Sequence, residues 1–107
     1  MHDLEFREIC LGLRGATESF PFGPETPVYK AANGKVFAIV SEPGDPSPVV
    51  TLKAHPHDGE ALRQQHPTII PGYHMNKRHW LTVPLDLADQ LLVNLVTESH
   101  RLVAPRL

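Results

Sequence analysis

The segment from Pro71 to Trp80 concentrates more polar and aromatic side chains than any other part of the chain. It contains a phenol, two imidazoles, an amide, an ammonium, a guanidinium and an indole. Lysine and arginine attract phosphates or carboxylates, asparagine both donates and accepts, and the aromatic rings can stack on a base. This mixture predicts recognition of an anionic, flat or phosphorylated partner. The alternative is a turn entering a strand, with Trp80 and Tyr73 buried as core anchors and Lys77 and Arg78 solvated.

Three lysines lie on or beside segments with the composition of β-strands: Lys30, Lys35 and Lys53. If these strands share a sheet, some of the lysines can share a surface with Lys77 and Arg78. Solvent-facing lysines that guard strand edges are the alternative interpretation. The predicted nucleic-acid or anion-binding residues are therefore Lys30, Lys53, Tyr73, His74, Asn76, Lys77 and Arg78.

Histidines raise the question of a metal site, but their spacing does not support one. His55, His57 and His66 flank a predicted short helix, and His74 and His79 flank Asn76. There is no His-Glu-x-x-His motif and no cysteine pair. The sequence therefore predicts neither a metal site nor a cofactor.

Motifs of nucleophilic catalysis and of phosphate binding are missing as well. Cys10 is the single cysteine, and its place on an apolar helical stripe predicts a buried, inert thiol. The chain has no Gly-x-Ser-x-Gly elbow, no Gly-x-x-x-x-Gly-Lys loop and no Gly-x-Gly-x-x-Gly loop. The prediction is a protein that is not an enzyme.

Charge restricts the partners further. Ten Lys and Arg residues stand against twelve Asp and Glu residues, for a net charge of -2, which excludes a globally basic nucleic-acid binder. Residues 1–25 are acidic, whereas residues 61–82 contain Arg63, Lys77 and Arg78 and no carboxylate. Any basic surface is expected in the second half of the chain.

The length of 107 residues predicts a single domain over residues 1–107. Leu, Ile, Val and Phe exceed the roughly 20% below which disorder is expected, so the chain should fold. No apolar run approaches the ~18 residues of a membrane span, and the N-terminal residues do not resemble a signal peptide. We therefore expect a soluble cytoplasmic protein.

The elements that must position these residues follow from local patterns. Phe6, Ile9, Cys10 and Leu13 recur at helical spacing behind Asp3, a potential cap. Two strand-like runs, residues 28–31 and 35–40, are joined through Asn33-Gly34, which predicts a hairpin. A third run, residues 49–53, extends the hairpin to a three-stranded meander.

The second half continues the same architecture. Asp58 can cap a short helix that ends near Gln65, and an extended run ends at residues 80–83. Asp86 can cap a last helix whose apolar side is formed by Leu92, Leu95, Val96, Ser99, Leu102 and Val103. The order of elements predicts an α+β fold, with helices packed on one face of an antiparallel sheet as a two-layer sandwich.

The chain resembles the small bacterial MmcQ/YjbR family over nearly its whole length. The most specific stretch is Pro-Gly-Tyr-His-Met-Asn-Lys-Arg-His-Trp, residues 71–80, followed by Thr82-Val83. Weaker matches lie at residues 20–24, 28–30, 34–38 and 52–53. The family positions correspond to Phe22, Gly23, Lys30, Lys35, Lys53, Gly72, Tyr73, His74, Asn76, Lys77, His79 and Trp80.

The resemblance implies an α+β sandwich similar to the frataxin-like and secretion-chaperone-like folds. It also implies DNA binding, because the family's sheet looks like the double-wing module of a phage transcription factor. Gly23 and Gly72 suit turns, and Trp80 suits the core. Frataxin's iron binding does not carry over, because the first helix lacks an extended acidic ridge.

Three hypotheses of function follow. The first is a DNA-binding module that presents Lys30, Lys53, Lys77 and Arg78 to phosphates. The second is a protein-interaction or chaperone-like module in which residues 73–80 form an interface. The third is a pocket for a small anionic ligand around Lys53, Tyr73, Asn76 and Lys77, with His74 or His79 as a potential acid–base group.

Overall fold

The computed structural model describes residues 1–41, 48–72 and 79–105. Within these ranges the chain forms three α-helices and six β-strands. The helices are α1 (Asp3–Leu11), α2 (Pro56–Gln65) and α3 (Asp89–Val103). The strands are β1 (Thr17–Ser19), β2 (Val28–Lys30), β3 (Val36–Ser41), β4 (Val49–Lys53), β5 (Ile70–Pro71) and β6 (Trp80–Pro84).

All six strands belong to one sheet in the order β1-β2-β3-β4-β6-β5, and every neighbouring pair is antiparallel. The predicted hairpin and meander are confirmed as β2, β3 and β4. Asn33 accepts a hydrogen bond from the Lys35 amide within the hairpin turn, and its side-chain amide donates to the Val103 carbonyl at the end of α3. The turn is thereby attached to the last helix.

The helices pack on one face of the sheet, which confirms the predicted α+β sandwich. Phe6 of α1 meets the Tyr29 ring edge-on at 6.3 Å, and a Cβ on Gly59 of α2 would lie in contact with Leu81. On α3 the fully buried residues are Leu92, Val96 and Ser99. The apolar core lies between this helical layer and alternate residues of the strands.

The Ser99 side chain bridges β3 and β4 at a point where the backbone pairing of the sheet is irregular. A bulge in β3 shifts its register against β2 beside Tyr29 and Lys30, and the paired register of β3 and β4 begins at Ala38 and Leu52. The Ser99 hydroxyl accepts a hydrogen bond from the Lys53 amide at 2.8 Å and donates one to the Phe37 carbonyl at 2.6 Å. A helix side chain therefore satisfies two backbone groups of neighbouring strands.

Each predicted helix exists, but in none of them does the expected aspartate occupy the cap position. The residue before α1 is His2, α2 begins at Pro56 behind His55, and α3 begins at Asp89 behind Ala88. His55 supplies a side-chain cap by accepting from the His57 amide, and proline at the first helical position has no amide to satisfy. No helix within the described ranges is long and apolar enough to span a membrane.

Candidate functional site

The face of the sheet turned away from the helices, the helix-free face, contains the lysines expected to bind an anion. Tyr29 points towards α1, so its neighbours Val28 and Lys30 point to the opposite side. Cross-strand pairing continues from Val28 through Ile39 to Thr51, which places Lys53, two residues further along β4, on the same face. The structure thus places Lys30 and Lys53 on one face. Whether either shares a surface with Lys77 and Arg78 stays a prediction, because those two residues lie outside the described residues.

A continuous row of paired residues, one from each strand, runs across this face of the six-stranded sheet. The paired residues are Ser19, Val28, Ile39, Thr51, Thr82 and Ile70. Val28 is buried yet lies outside the main core cluster, as its position on the opposite face requires. The row consists of hydroxyl-bearing and branched residues beside the two lysines, and the Val28 side chain and the Ser19 hydroxyl within it are buried rather than open to solvent.

The helix-free face is cationic at its described strand positions. Lys30 lies opposite Val36, and Lys53 lies one strand further on, so two strand spacings of about 4.8 Å put the lysine backbones about 10 Å apart. Glu18 is the one acidic residue in the six strands, and it pairs with Tyr29 on the helix-packed face. Strand residues of the helix-free face thus present two ammonium groups and no carboxylate.

Trp80 is half-buried on the helix-free face, so its expected place in the core is wrong. It pairs with Lys53 across β4 and β6, and the Lys53 ammonium lies 5.7 Å from the centre of the indole ring. That distance is within the range of a cation–π contact. The residue that alternation sends into the core is instead Leu81.

Glycine is required beside Trp80 for a reason other than a turn. A Cβ on Gly72 would lie 2.6 Å from the Trp80 Cβ, and the Gly72 amide donates to the Trp80 carbonyl at 2.8 Å. Close contact between strands therefore demands Gly72. Gly23, with φ of 114°, does occupy a turn.

The remaining predicted site residues fall on one segment. Tyr73, His74, Asn76, Lys77 and Arg78 lie in residues 73–78, outside the described residues. Lys53 is not a lining residue of the clefts in the described part of the chain that reach about 400 Å³. The predicted small-anion pocket around Lys53 stays a prediction.

A second polar cluster lies on the helix-packed side, at the edge of the sheet. The Glu18 carboxylate accepts hydrogen bonds from the Tyr29 hydroxyl at 2.9 Å and from the Arg7 Nε at 2.9 Å. Burial raises the pKa of the Tyr29 phenol, and its hydrogen bond to Glu18 raises that pKa further. Tyr29 is therefore a neutral donor that holds Glu18 in place.

The Cys10 thiol lies beneath this cluster and is fully buried, as the sequence predicted. Burial and the nearby Glu18 carboxylate raise the pKa of the thiol above its ordinary value. We expect iodoacetamide to leave the folded protein unlabelled at mildly alkaline pH and to label it completely in denaturant, because the thiolate is the reacting form. Mass spectrometry measures the extent, and labelling of the folded chain at the rate of a free thiol would contradict the assignment.

Comparison with known proteins identifies the family to which the chain belongs. The family model YjbR matches residues 11–102. The chain belongs to the YjbR family. The family expected from the motif of residues 71–80 is thus confirmed.

Two Escherichia coli proteins match this chain over nearly all of its length. The uncharacterised protein YbdF of strain O157:H7 is 38% identical over 103 residues, covering 94% of this chain and 75% of the relative. The uncharacterised protein YjbR of strain K12 is also 38% identical over 103 residues, covering 91% of this chain and 82% of the relative. Neither name assigns an enzymatic activity or a ligand.

Solved structures share the fold. Deinococcus radiodurans protein DR2400 superimposes with a TM-score of 0.83 at 41% identity, covering 92% of this chain and 75% of that one. A protein from Pseudomonas syringae superimposes with a TM-score of 0.80 at 28% identity, covering 95% of this chain and 98% of that one. The six-stranded sheet and its helices are therefore a shared YjbR-family architecture.

Sequence reasoning missed one feature of this YjbR-family chain, a cleft between α1 and the segment that joins β1 to β2. It is an open cleft of about 400 Å³, and its lining residues are Asp3, Leu4, Arg7, Glu18, Phe20, Pro24, Glu25, Pro27 and Tyr29. The signal available in the sequence was the acidic excess of residues 1–25 together with the closely spaced phenylalanines and prolines of residues 20–27. Neither pattern by itself indicates that a helix will form the opposite wall.

Proposed function

We propose that this protein binds DNA through the helix-free face and performs no chemistry on it. The observation that carries the proposal is the register, which puts Lys30, Lys53 and Trp80 on one face whose described strand positions lack a carboxylate. Phosphate contacts from lysine supply most of sequence-independent affinity. The half-buried indole offers a surface on which a base can stack.

The distribution of charge favours this face over the rest of the molecule. The chain has a net charge of -2, so its total charge does not attract nucleic acid. The local excess of ammonium groups on the helix-free face attracts the phosphates of nucleic acid instead. Lys77 and Arg78 follow Gly72 and precede β6 in the chain, and the proposal includes them as further phosphate contacts.

The proposal predicts weak, salt-dependent binding. If about three of the four cations Lys30, Lys53, Lys77 and Arg78 contact phosphates at once, the slope is roughly -3 for the logarithm of the association constant against that of the salt concentration. A variant with Lys30→Glu and Lys53→Glu should lose about two of these contacts, so its slope should fall to about -1 and its affinity at low salt at least tenfold. Fluorescence anisotropy with random duplex and single-stranded DNA across a salt series measures both quantities.

A matched control separates the surface from the total charge. Arg14→Glu with Lys35→Glu changes the net charge by the same amount at two exposed residues outside the strands, and it should leave the slope near that of the parent protein. If both double variants lost the same affinity and the same salt slope, DNA binding would depend on total charge and not on the helix-free face. Absence of binding to either DNA at low salt would overturn DNA binding altogether.

A further inference from the structure

The cleft between α1 and the β1–β2 connection lies on the opposite side of the sheet from the lysines of the helix-free face. Its apolar wall is exposed, since Leu4 is 67% and Phe20 is 47% accessible. Pro24 and Pro27 stiffen the connection that forms this wall. Two exposed apolar side chains that line one cleft offer apolar surface that another molecule can cover.

The charges around the cleft identify the chemistry of that molecule. Three carboxylates line it, those of Asp3, Glu18 and Glu25, against the single guanidinium of Arg7. Arg7 is paired with Glu18. Asp3 and Glu25 form no ion pair with any residue in ranges 1–41, 48–72 and 79–105. The rim is therefore acidic, and a lysine or arginine placed there would neutralise it.

Hydrogen bonds anchor the floor of the cleft. Glu18 is held by Tyr29 and Arg7 through hydrogen bonds of 2.9 Å, and Tyr29 itself is buried against Phe6. A pre-formed floor and a proline-stiffened wall reduce the ordering entropy that binding must overcome. The volume of about 400 Å³ suits large side chains rather than an ion.

We propose that this cleft docks a segment of a partner protein in which large apolar side chains alternate with lysine or arginine. The apolar side chains cover Leu4 and Phe20, and the cations lie against Asp3 and Glu25. The surface is independent of the proposed DNA-binding face, because it is built on the helix-packed side by different residues.

Nuclear magnetic resonance with the ¹⁵N-labelled chain tests the proposal with three synthetic peptides of equal length. One alternates leucine with lysine, one leucine with glutamate, and one serine with lysine. The leucine–lysine peptide should shift amide resonances around Leu4, Glu18, Phe20 and Glu25 in a saturable manner. The other two peptides should bind at least tenfold more weakly, since each lacks one of the two required chemistries.

Two pairs of variants locate the contact. Phe20→Ser should weaken binding of the leucine–lysine peptide at least tenfold, whereas Phe22→Ser, which changes a still more exposed phenylalanine outside the cleft, should leave it unchanged. Asp3→Lys with Glu25→Lys should make the leucine–glutamate peptide the preferred one. Glu8→Lys with Glu60→Lys changes two exposed acids outside the cleft and should preserve the original preference.

The outcomes are distinct from those of the DNA experiment. Saturable shifts confined to the cleft and lost in Phe20→Ser support docking. Equal effects of Phe20→Ser and Phe22→Ser, or shifts spread over the helix-free face, would overturn it, as would no shift at millimolar peptide. Dispersed spectra of each variant establish that a loss of binding is not a loss of fold.

Discussion

Replacing Phe37 with alanine is expected to lower the free energy of unfolding by about 3–5 kcal/mol, the range for deleting a buried aromatic ring. Phe37 has no accessible surface, and it contacts rings on both sides. The His100 ring meets it edge-on with centroids 5.0 Å apart, and the Tyr29 ring lies 6.4 Å away. The cavity left by the alanine would remove the packing of α3 against β2 and β3 at this point. Urea unfolding followed by circular dichroism measures the change.

Two other aromatic residues calibrate this result. Phe22 is 70% accessible, so Phe22→Ala should change the stability by less than about 0.5 kcal/mol. Trp80 is half-buried on the helix-free face, and Trp80→Ala should lower the free energy of unfolding by less than about 2 kcal/mol. A larger loss for Trp80 than for Phe37 would mean that the assignment of the two faces is wrong.

Ser99→Ala is expected to destabilise the protein by about 2–4 kcal/mol, because it leaves two backbone groups without a partner. The hydroxyl is fully buried between the Lys53 amide and the Phe37 carbonyl, at 2.8 and 2.6 Å. Alanine fits the space, so the loss reports hydrogen bonding rather than packing. Hydrogen exchange should show the Lys53 amide losing protection more than its neighbours in β4.

Thr97→Ala provides the control on the same helix. Thr97 is exposed, and removing its hydroxyl should change stability by less than about 0.5 kcal/mol. If Ser99→Ala were as mild as Thr97→Ala and left exchange at Lys53 unchanged, the bridge between β3 and β4 would contribute nothing to the fold. The comparison isolates burial of the hydroxyl as the cause.

Helix boundaries show where local reasoning was wrong. Asp3, Asp58 and Asp86 were the expected caps, but the residues at the cap positions are His2, His55 and Ala88. A capping side chain contributes about 1 kcal/mol, which the packing of a helix against a sheet readily outweighs. The apolar side of α3 was predictable because its four buried residues recur at helical spacing.

The candidate site was predictable in part. The motif of residues 71–80 identified the family, and the strand lysines were identified as candidates before their faces were known. Trp80 was expected in the core because tryptophan is large and apolar. The alternation of β6 instead directs Leu81 and Val83 inward, and Trp80 lies on the other face beside Lys53.

The sequence by itself determined the family, the hairpin around Asn33-Gly34, the antiparallel α+β class and the burial of Cys10, because each depends on neighbours within a few residues or on a specific motif. Only the tertiary structure decided that Lys30 and Lys53 share a face, that Ser99 joins β3 to β4, and that α1 closes a cleft over Glu18. These features depend on cross-strand register and on the docking of helices. Both are set by packing between residues far apart in the chain, since a register shift of one residue would exchange the two faces of a strand.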